Sequence, residues 1–299
     1  MSYHLPVLAG QSIEALRIKK DGCYVDATFG GGGHSRLILN QLGEKGRLLA
    51  FDQDDDALHN LPEDDRFIFC HHNFRFLRRF LRLHGIEQVD GILADLGVSS
   101  HQLDVPERGF SFRFDAPLDM RMNQQGETTA ADVLNTYSAT ALQNVFGKYG
   151  EVRNARTLAQ KIVGLRKAKP LHTVADLLQL VEPLIRGQRH KYLARLFQAL
   201  RIEVNDEMGA LKAFLETARD VLRPGGRLVV ISYHSLEDRM VKNLLKTGNT
   251  EGKVVKDFYG KIERPFTLIY KGVKKPSPEE MLKNPRARSA KLRVGKKEF

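Results

Sequence analysis

The first hundred residues alternate between short apolar runs and helix-length intervals, and this feature limits the fold more than any other. Four runs predict strands: residues 23–27, then RLLAFDQD, RFIFCHHNF and VDGILAD, which ends at Asp95. Parallel neighbours need a long crossover, usually a helix, whereas antiparallel neighbours can be joined by a tight turn. The spacing therefore predicts a parallel, doubly wound α/β sheet.

The pattern changes after Asp104. From residue 130 to about residue 195 the apolar positions recur with helical spacing, as in ADVLNTYSATALQNVFGKYG. A helix over residues 211–221 then ends at RPGG before the strand RLVVISYHS, and PFTLIYK with AKLRV predicts a final antiparallel pair. We therefore predict one domain from residues 1–104 and 197–299, interrupted by an inserted all-helical domain of residues 105–196. The Lys-rich residues 274–288 resemble a flexible segment.

Composition indicates a globular protein. Of the 299 residues, 42% are apolar and 28% are charged. No run of about 18 apolar residues predicts a membrane helix and no secretory signal precedes the first domain, so we expect a cytoplasmic location. The 2 cysteines, Cys23 and Cys70, lack the spacing of metal ligands, and we predict no metal site.

Positive charge is concentrated in two segments. The formal net charge is +11, and residues 153–201 hold 11 Lys and Arg against 2 acids, while residues 271–297 hold 10 against 2. Because a basic patch is the usual footprint of a polyanion partner, we expect nucleic acid to bind. A well-solvated basic surface is the alternative interpretation.

Four glycines, residues 30–33, join the first predicted strand to a helix, and such a turn lets the backbone approach a nucleotide-like ligand. Asp52 follows by about 20 residues, the interval at which a carboxylate binds ribose hydroxyls. A tight turn and a strand-end acid are the alternative interpretations. Ser35 stands where a dinucleotide fold needs Gly or Ala, and no P-loop lysine is present, which disfavours both of those classes.

In order along the chain, these segments resemble the RsmH family, formerly called MraW, of bacterial 16S ribosomal RNA cytosine-N4 methyltransferases. The resemblance runs almost from end to end. It rests on HLPVL at 4–8, VDATFGGGGHSRLIL at 25–39, ILADLGVSSHQLD at 92–104, ERGFSFRFDAPLDMRM at 107–122, FQALRIEVNDE at 197–207, GGRLVVISYHSLEDRMVK at 225–242 and NPRARSAKLR at 284–293.

The resemblance implies a Rossmann-like class I methyltransferase sheet and S-adenosylmethionine as cofactor. The family's cofactor-binding residues correspond here to Gly32, Gly33, His34, Asp52, Phe74, Asp95 and Gln102. It further implies N4-methylation of a cytidine in the decoding centre of 16S ribosomal RNA, presented on a nearly complete small subunit. It also implies a homodimer.

Three residues are candidates for catalysis. Asp95 ends a parallel strand, where open α/β sheets bind their ligands, and we expect it to accept an amine proton or a cofactor hydrogen bond. A capping acid is the alternative. Ser99 and His234 are candidates for hydrogen bonds to the base. No G-x-S-x-G elbow is present, which disfavours a hydrolase.

Arginines interleaved with aromatics in ERGFSFRF favour RNA binding by Arg108, Phe110 and Arg113, because aromatic rings stack on unpaired bases. Arg286 and Arg288 in NPRARSAKLR are further candidates. The phenylalanines are alternatively core residues, and the last two arginines alternatively pair with acids of the fold. A nonenzymatic ribosome-assembly factor with a methyltransferase fold is the competing function.

Overall fold

The computed structural model describes residues 6–256, residue 260 and residues 264–299, and it divides into two compact units. The first unit consists of Met1–Gly97 with Met208–Phe299, and the second of Val98–Glu207. The boundaries expected from the sequence, near residues 104 and 197, fall inside the second unit, because Leu103 and Leu200 both pack into its core. Residues 4 and 5 of the HLPVL block lie outside the described residues.

The first unit contains one seven-stranded sheet with the order β3-β2-β1-β4-β5-β7-β6. The strands are β1 Cys23–Asp26, β2 Arg47–Asp52, β3 Phe67–His71, β4 Val89–Asp95, β5 Leu222–Ser232, β6 Phe266–Leu268 and β7 Lys291–Lys297. Strands β1 to β5 are parallel, whereas β7 lies antiparallel between β5 and β6. This arrangement confirms the predicted Rossmann-like sheet and its final antiparallel pair.

Helices connect the strands and form the second unit. They are α1 Ala9–Leu16, α2 Gly33–Leu39, α3 Leu77–Leu83, α4 Ser100–Asp104, α5 Ala130–Thr136, α6 Ala139–Gly150, α7 Ala155–Leu165, α8 Val174–Val181, α9 Arg189–Val204, α10 Glu207–Val221, α11 Ser235–Thr247 and α12 Pro278–Lys283.

The central residues of β1, β2, β4 and β5 are apolar because these strands are buried on both faces of the sheet. Successive side chains alternate between the faces: Val25 and Ile92 belong to one core cluster, and Tyr24 and Leu93 to another. The strands end in register, since Asp26 pairs with Ala50 and Leu93, and Asp95 pairs with Ile231. The polar residues that follow therefore meet at one edge of the sheet.

The RPGG sequence, expected to be a turn, lies inside β5. Leu222 pairs with Val89, the register then shifts, and pairing resumes between Arg227 and Gly91. Gly225 has φ +82°, a conformation that a residue with a side chain rarely adopts. The proline and glycine therefore form an exposed irregularity in a strand instead of a connection.

The second unit, every residue of which the structure describes, has no strand apart from one β-bridge between Pro117 and Thr173. Side-chain oxygens of Thr129, Ser138 and Thr173 cap α5, α6 and α8. Its core is formed by side chains from all of its longer helices. The helical periodicity of this segment is therefore confirmed.

Residues 274–288 are more ordered than their composition indicated. Ser277 caps α12, and the Glu280 carboxylate accepts a hydrogen bond of 2.6 Å from the Leu8 N–H. Lys274 forms a bridge with Leu292 of β7. The expectation of a flexible segment was wrong because these long-range bonds fix it to the sheet. Within the described ranges, no helix combines the length and apolar character needed to cross a bilayer.

Candidate active site

The glycine turn between β1 and α2 is built around backbone that only glycine adopts easily. Gly32 has φ +75° and precedes α2, and its N–H donates to the Phe29 carbonyl at 2.7 Å. A Cβ atom at Gly32 would lie 2.9 Å from both the Phe29 ring and the Arg36 guanidinium. One at Gly33 would lie 3.0 Å from Pro6. The turn therefore favours glycine at position 32 by conformation and by space, and a side chain at position 33 would have to displace Pro6.

We expect Gly32→Ala to lower the free energy of unfolding by about 2 kcal/mol, because alanine is strained at positive φ and its Cβ meets the Phe29 ring. Gly31 is the matched control, since it is exposed and does not have a positive φ. A Cβ atom added at Gly31 would have no neighbouring atom within 4 Å. Urea unfolding should place Gly31→Ala within about 0.5 kcal/mol of the wild type. Equal losses in the two variants would contradict this explanation of the turn.

Asp26, at the end of β1, lies beneath the turn and was not among the predicted site residues. It is fully buried, and it accepts hydrogen bonds from the Ser35 hydroxyl at 2.7 Å and the Thr28 N–H at 3.1 Å. Burial raises the pKa of Asp26 to about 7, although both hydrogen bonds oppose that rise. This carboxyl group thus links β1 to α2 on either side of the glycines.

Asp52 ends β2 and contacts the same turn. Its carboxylate accepts hydrogen bonds from the Gly30 N–H at 2.7 Å and the Asp54 N–H at 2.9 Å. Burial raises the pKa of Asp52, and these two backbone donors oppose the rise. The structure therefore brings Asp52 and the glycines together, while binding of ribose by Asp52 stays a prediction.

Asp95 is held at the end of β4 by its neighbours on both sides. Its N–H donates to the Thr28 hydroxyl oxygen at 2.7 Å, and its carboxylate accepts a hydrogen bond of 2.8 Å from the Tyr233 hydroxyl. Burial raises the pKa of Asp95 to about 7; the bond from Tyr233 opposes the rise, and the charges of Asp26 and Glu237 add to it. A carboxyl group with this pKa can exchange protons near neutral pH.

His34, the third residue of the expected cofactor set, is buried at the start of α2. Its Nε2 lies 3.2 Å from the Val7 carbonyl, which only accepts, so Nε2 carries the proton. Burial lowers the pKa of His34 to about 4, against the effect of that hydrogen bond. His34 is therefore neutral at pH 7, and the 3.9 Å between its Nδ1 and an Asp95 oxygen is not an ion pair there.

His234 forms the N-cap of α11. Its Nδ1 accepts from the Glu237 N–H at 3.4 Å, and the buried Glu237 carboxylate accepts from the Tyr233 N–H at 2.8 Å. These contacts fix the first turn of the helix.

Phe74 follows β3, and its half-buried ring lies 5.1 Å from that of Phe214. Roles for His234 in catalysis and Phe74 at adenine stay predictions.

Ser99 and Gln102 belong to the second unit, where they form a capping box at the start of α4. The Gln102 N–H donates to the Ser99 hydroxyl oxygen at 3.1 Å, and the Gln102 side chain accepts from the Ser99 N–H at 3.0 Å. This contact gives both side chains a structural role. Their predicted roles at base and cofactor stay predictions.

Two of the residues predicted to contact RNA, Arg108 and Phe110, are buried in the second unit. Arg108 is 7% exposed, and its guanidinium donates to the carbonyls of Arg121 and Met122. Phe110 is 6% exposed and belongs to the core of that unit. Phe110 is therefore a core residue, as the alternative interpretation had it, and Arg108 is a structural residue, which neither interpretation expected. Arg113 is exposed.

In the first unit, Arg288 is exposed and Arg286 is partly buried next to α12. Asp26, Tyr233 and Glu237 were missed by the sequence reasoning. Their signal was position, since Asp26 lies four residues before the first glycine of the motif and the other two follow the strand VVIS.

Comparisons of the sequence with a family model and with curated relatives identify the same family. The model of the MraW methylase family matches residues 1–298. Ribosomal RNA small subunit methyltransferase H of Bacteroides thetaiotaomicron is 56% identical over 298 residues, 99% of this chain and 98% of its own length. The protein of the same name from Flavobacterium johnsoniae is 54% identical over 298 residues, with the same two coverages of 99% and 98%.

A solved structure, a putative rRNA-methylase from Clostridium thermocellum, has 13% identity and a TM-score of 0.46 over 98% of both chains. The family match confirms the predicted resemblance, and with it the expected methyltransferase class. The chain belongs to the MraW methylase family.

Proposed function

We propose that this protein transfers a methyl group from S-adenosylmethionine to the exocyclic N4 amine of a cytidine in the decoding centre of small-subunit ribosomal RNA. One observation carries the proposal: the glycine turn, Asp52 and Asp95 meet at the carboxyl edge of the sheet, beside β1 and β4 where the strand order reverses. Open α/β sheets bind their ligands at such a position. The names of the relatives support ribosomal RNA of the small subunit as substrate.

The residues at this edge fit a cationic, adenosine-containing cofactor. A Cβ atom added at Gly30 or Gly31 would have no neighbouring atom within 4 Å. The space beside these two glycines is therefore open to a ligand. Burial disfavours the charged forms of the Asp26, Asp52 and Asp95 carboxyl groups, and a bound sulfonium or ammonium group would stabilise those ionised forms. We assign the glycine turn to the methionine portion of the cofactor and Asp52 to its ribose.

Asp95 acts on the amine. The cytosine N4 lone pair is delocalised into the ring, so the amine needs to be held and relieved of a proton. When bound, S-adenosylmethionine would supply an electrophilic methyl group on sulfur, whose carbon–sulfur bond would break as the bond from N4 to carbon forms. The carboxylate of Asp95 orients the amine through a hydrogen bond and accepts the proton that N4 loses.

Exposed basic side chains of the second unit supply the contacts to phosphate. Lys169 and Arg189 pair with Asp176 and Glu182, and Arg166 donates to a backbone carbonyl. Within the described part of the chain, no acidic side chain pairs with a further set of exposed basic residues: Arg153, Arg156, Lys161, Lys167, Arg186, Lys191 and Arg195. Unpaired cations of this kind bind a phosphate backbone. This surface gives the inserted unit its proposed role in substrate recognition.

Methyl transfer from labelled cofactor to small ribosomal subunits, taken from cells that lack the protein, tests the function. We expect label in N4-methylcytidine, mapped by nuclease digestion to a single nucleotide of the decoding centre. Free 16S ribosomal RNA in parallel distinguishes naked RNA from an assembled subunit as substrate. Cofactor binding without any label in cytidine would favour the nonenzymatic assembly factor. The homodimer implied by the resemblance stays a prediction.

A further inference from the structure

The hydroxyl of Tyr233 donates its hydrogen bond to the carboxylate of Asp95. Tyr233 follows β5 directly, and its hydroxyl donates to Asp95 Oδ1 at 2.8 Å. The backbone of the tyrosine is itself fixed, because its N–H donates to a Glu237 oxygen at 2.8 Å. Its ring lies against Gly97, where a built Cβ would be 3.4 Å from the ring. The phenol therefore has one defined orientation.

We propose that Tyr233 is a positioning residue for methyl transfer, which fixes Asp95 Oδ1 so that Oδ2 is presented to the N4 amine. This inference rests on the proposed function. The Asp95 main chain is anchored separately, through Thr28 and through strand pairing with Ile231. Among the described residues, the tyrosine hydroxyl is the hydrogen-bond donor to this carboxylate, so it sets the rotation of the carboxylate plane. A carboxylate that turned freely would offer its oxygens at random.

The charges around this pair give the hydroxyl a second effect. Asp26 at the end of β1 and Glu237 in α11 disfavour a negative charge on Asp95, and the neutral His34 of α2 does not offset them. Tyr233 is the neighbouring side chain that stabilises the ionised form, since a phenol hydroxyl donates to a carboxylate. Removal of the hydroxyl should therefore raise the pKa of Asp95 further.

Tyr233→Phe tests the proposal, because it removes the hydroxyl and retains the ring. Tyr24→Phe is the matched control: Tyr24 is a buried tyrosine of the same unit whose hydroxyl oxygen accepts from the Lys19 N–H at 2.7 Å, at the opposite end of β1. Both variants are assayed as full chains for kcat, for KM toward small subunits and for rate against pH. The ¹³C shift of the Asp95 carboxyl carbon, assigned with Asp95→Asn, is followed over the same pH range.

We expect Tyr233→Phe to lower kcat by roughly tenfold, the scale of one hydrogen bond to a charged group, with KM for the subunit unchanged. The acid limb of its rate profile and the carboxyl titration should both move to higher pH, because the ionised form is the active one. Tyr24→Phe should show none of these changes. Unchanged kcat and titration in Tyr233→Phe, with an active wild type, would overturn the positioning role alone. A wild type that methylates no cytidine would overturn the proposed function and this inference together.

Discussion

Asp95→Ala is expected to lower the rate of methyl transfer by roughly a thousandfold, within the range that general base catalysis contributes. The substitution removes the acceptor for the amine proton and the hydrogen bond that orients N4. It leaves the strand pairing intact, since Asp95 is anchored through its N–H to Thr28. Single-turnover rates with saturating cofactor and small subunits measure the loss without a contribution from product release.

Asp90 provides the control for the removal of a carboxylate from the same strand. It is 6% exposed near the start of β4 and pairs with Lys19 and Arg223, at the opposite end of the strand from Asp95. Asp90→Asn should reduce stability and leave the single-turnover rate of the folded protein near that of the wild type. An Asp95→Ala protein that binds cofactor and methylates at the wild-type rate would show that the proton goes to solvent.

Charge reversal on the second unit should have the next largest effect. We expect the triple variant Arg153→Glu, Arg156→Glu and Lys161→Glu to weaken binding of the small subunit by roughly a hundredfold at moderate salt. All three side chains are exposed on or beside α7. The dependence of log Kd on log salt should become shallower by roughly 0.7 to 0.9 for each phosphate group that the variant no longer neutralises. Equilibrium filter binding over a range of salt concentrations measures both quantities.

A triple variant of the first unit carries the same change in charge. Lys20, Lys45 and Arg47 are exposed beside the amino ends of β1 and β2, away from the carboxylates at the other edge of the sheet. Their reversal to glutamate should reduce affinity by only a few fold, through net charge alone. Equal losses of affinity in the two triple variants would contradict the assignment of phosphate binding to α7.

The sheet was predictable because its strands are buried on both faces, so Val25, Leu49 and Ile92 stand in uninterrupted apolar runs. The RPGG segment was not, since Pro and Gly give the same local signal in a turn and in a strand irregularity. Only pairing with β4 distinguishes the two. The order of residues 274–288 likewise depends on a partner, Leu8, that is remote in sequence.

The part of the site that was predictable is the part whose residues form a short motif with a fixed spacing in the sequence. The glycine turn and Asp52 were found from their spacing, and the structure joins them through the Gly30 N–H. Tyr233 was missed because a tyrosine after a strand resembles a core residue until its hydroxyl is seen on Asp95. Arg108 was predicted to contact RNA because an arginine in a loop resembles a surface residue. The sequence does not reveal that its guanidinium donates inward to backbone carbonyls.

The neighbouring strands β4 and β5 are separated in the sequence by the whole of the second unit, and this order affects folding on the ribosome. When β4 has been synthesised, its buried residues Ile92 and Leu93 lie at an open sheet edge until β5 follows. Such an edge can pair with other chains. The helical unit, whose contacts are more local, can fold in the interval and shorten the effective loop between the two strands. The rate at which the insertion folds would then set how long a nascent chain needs protection by chaperones.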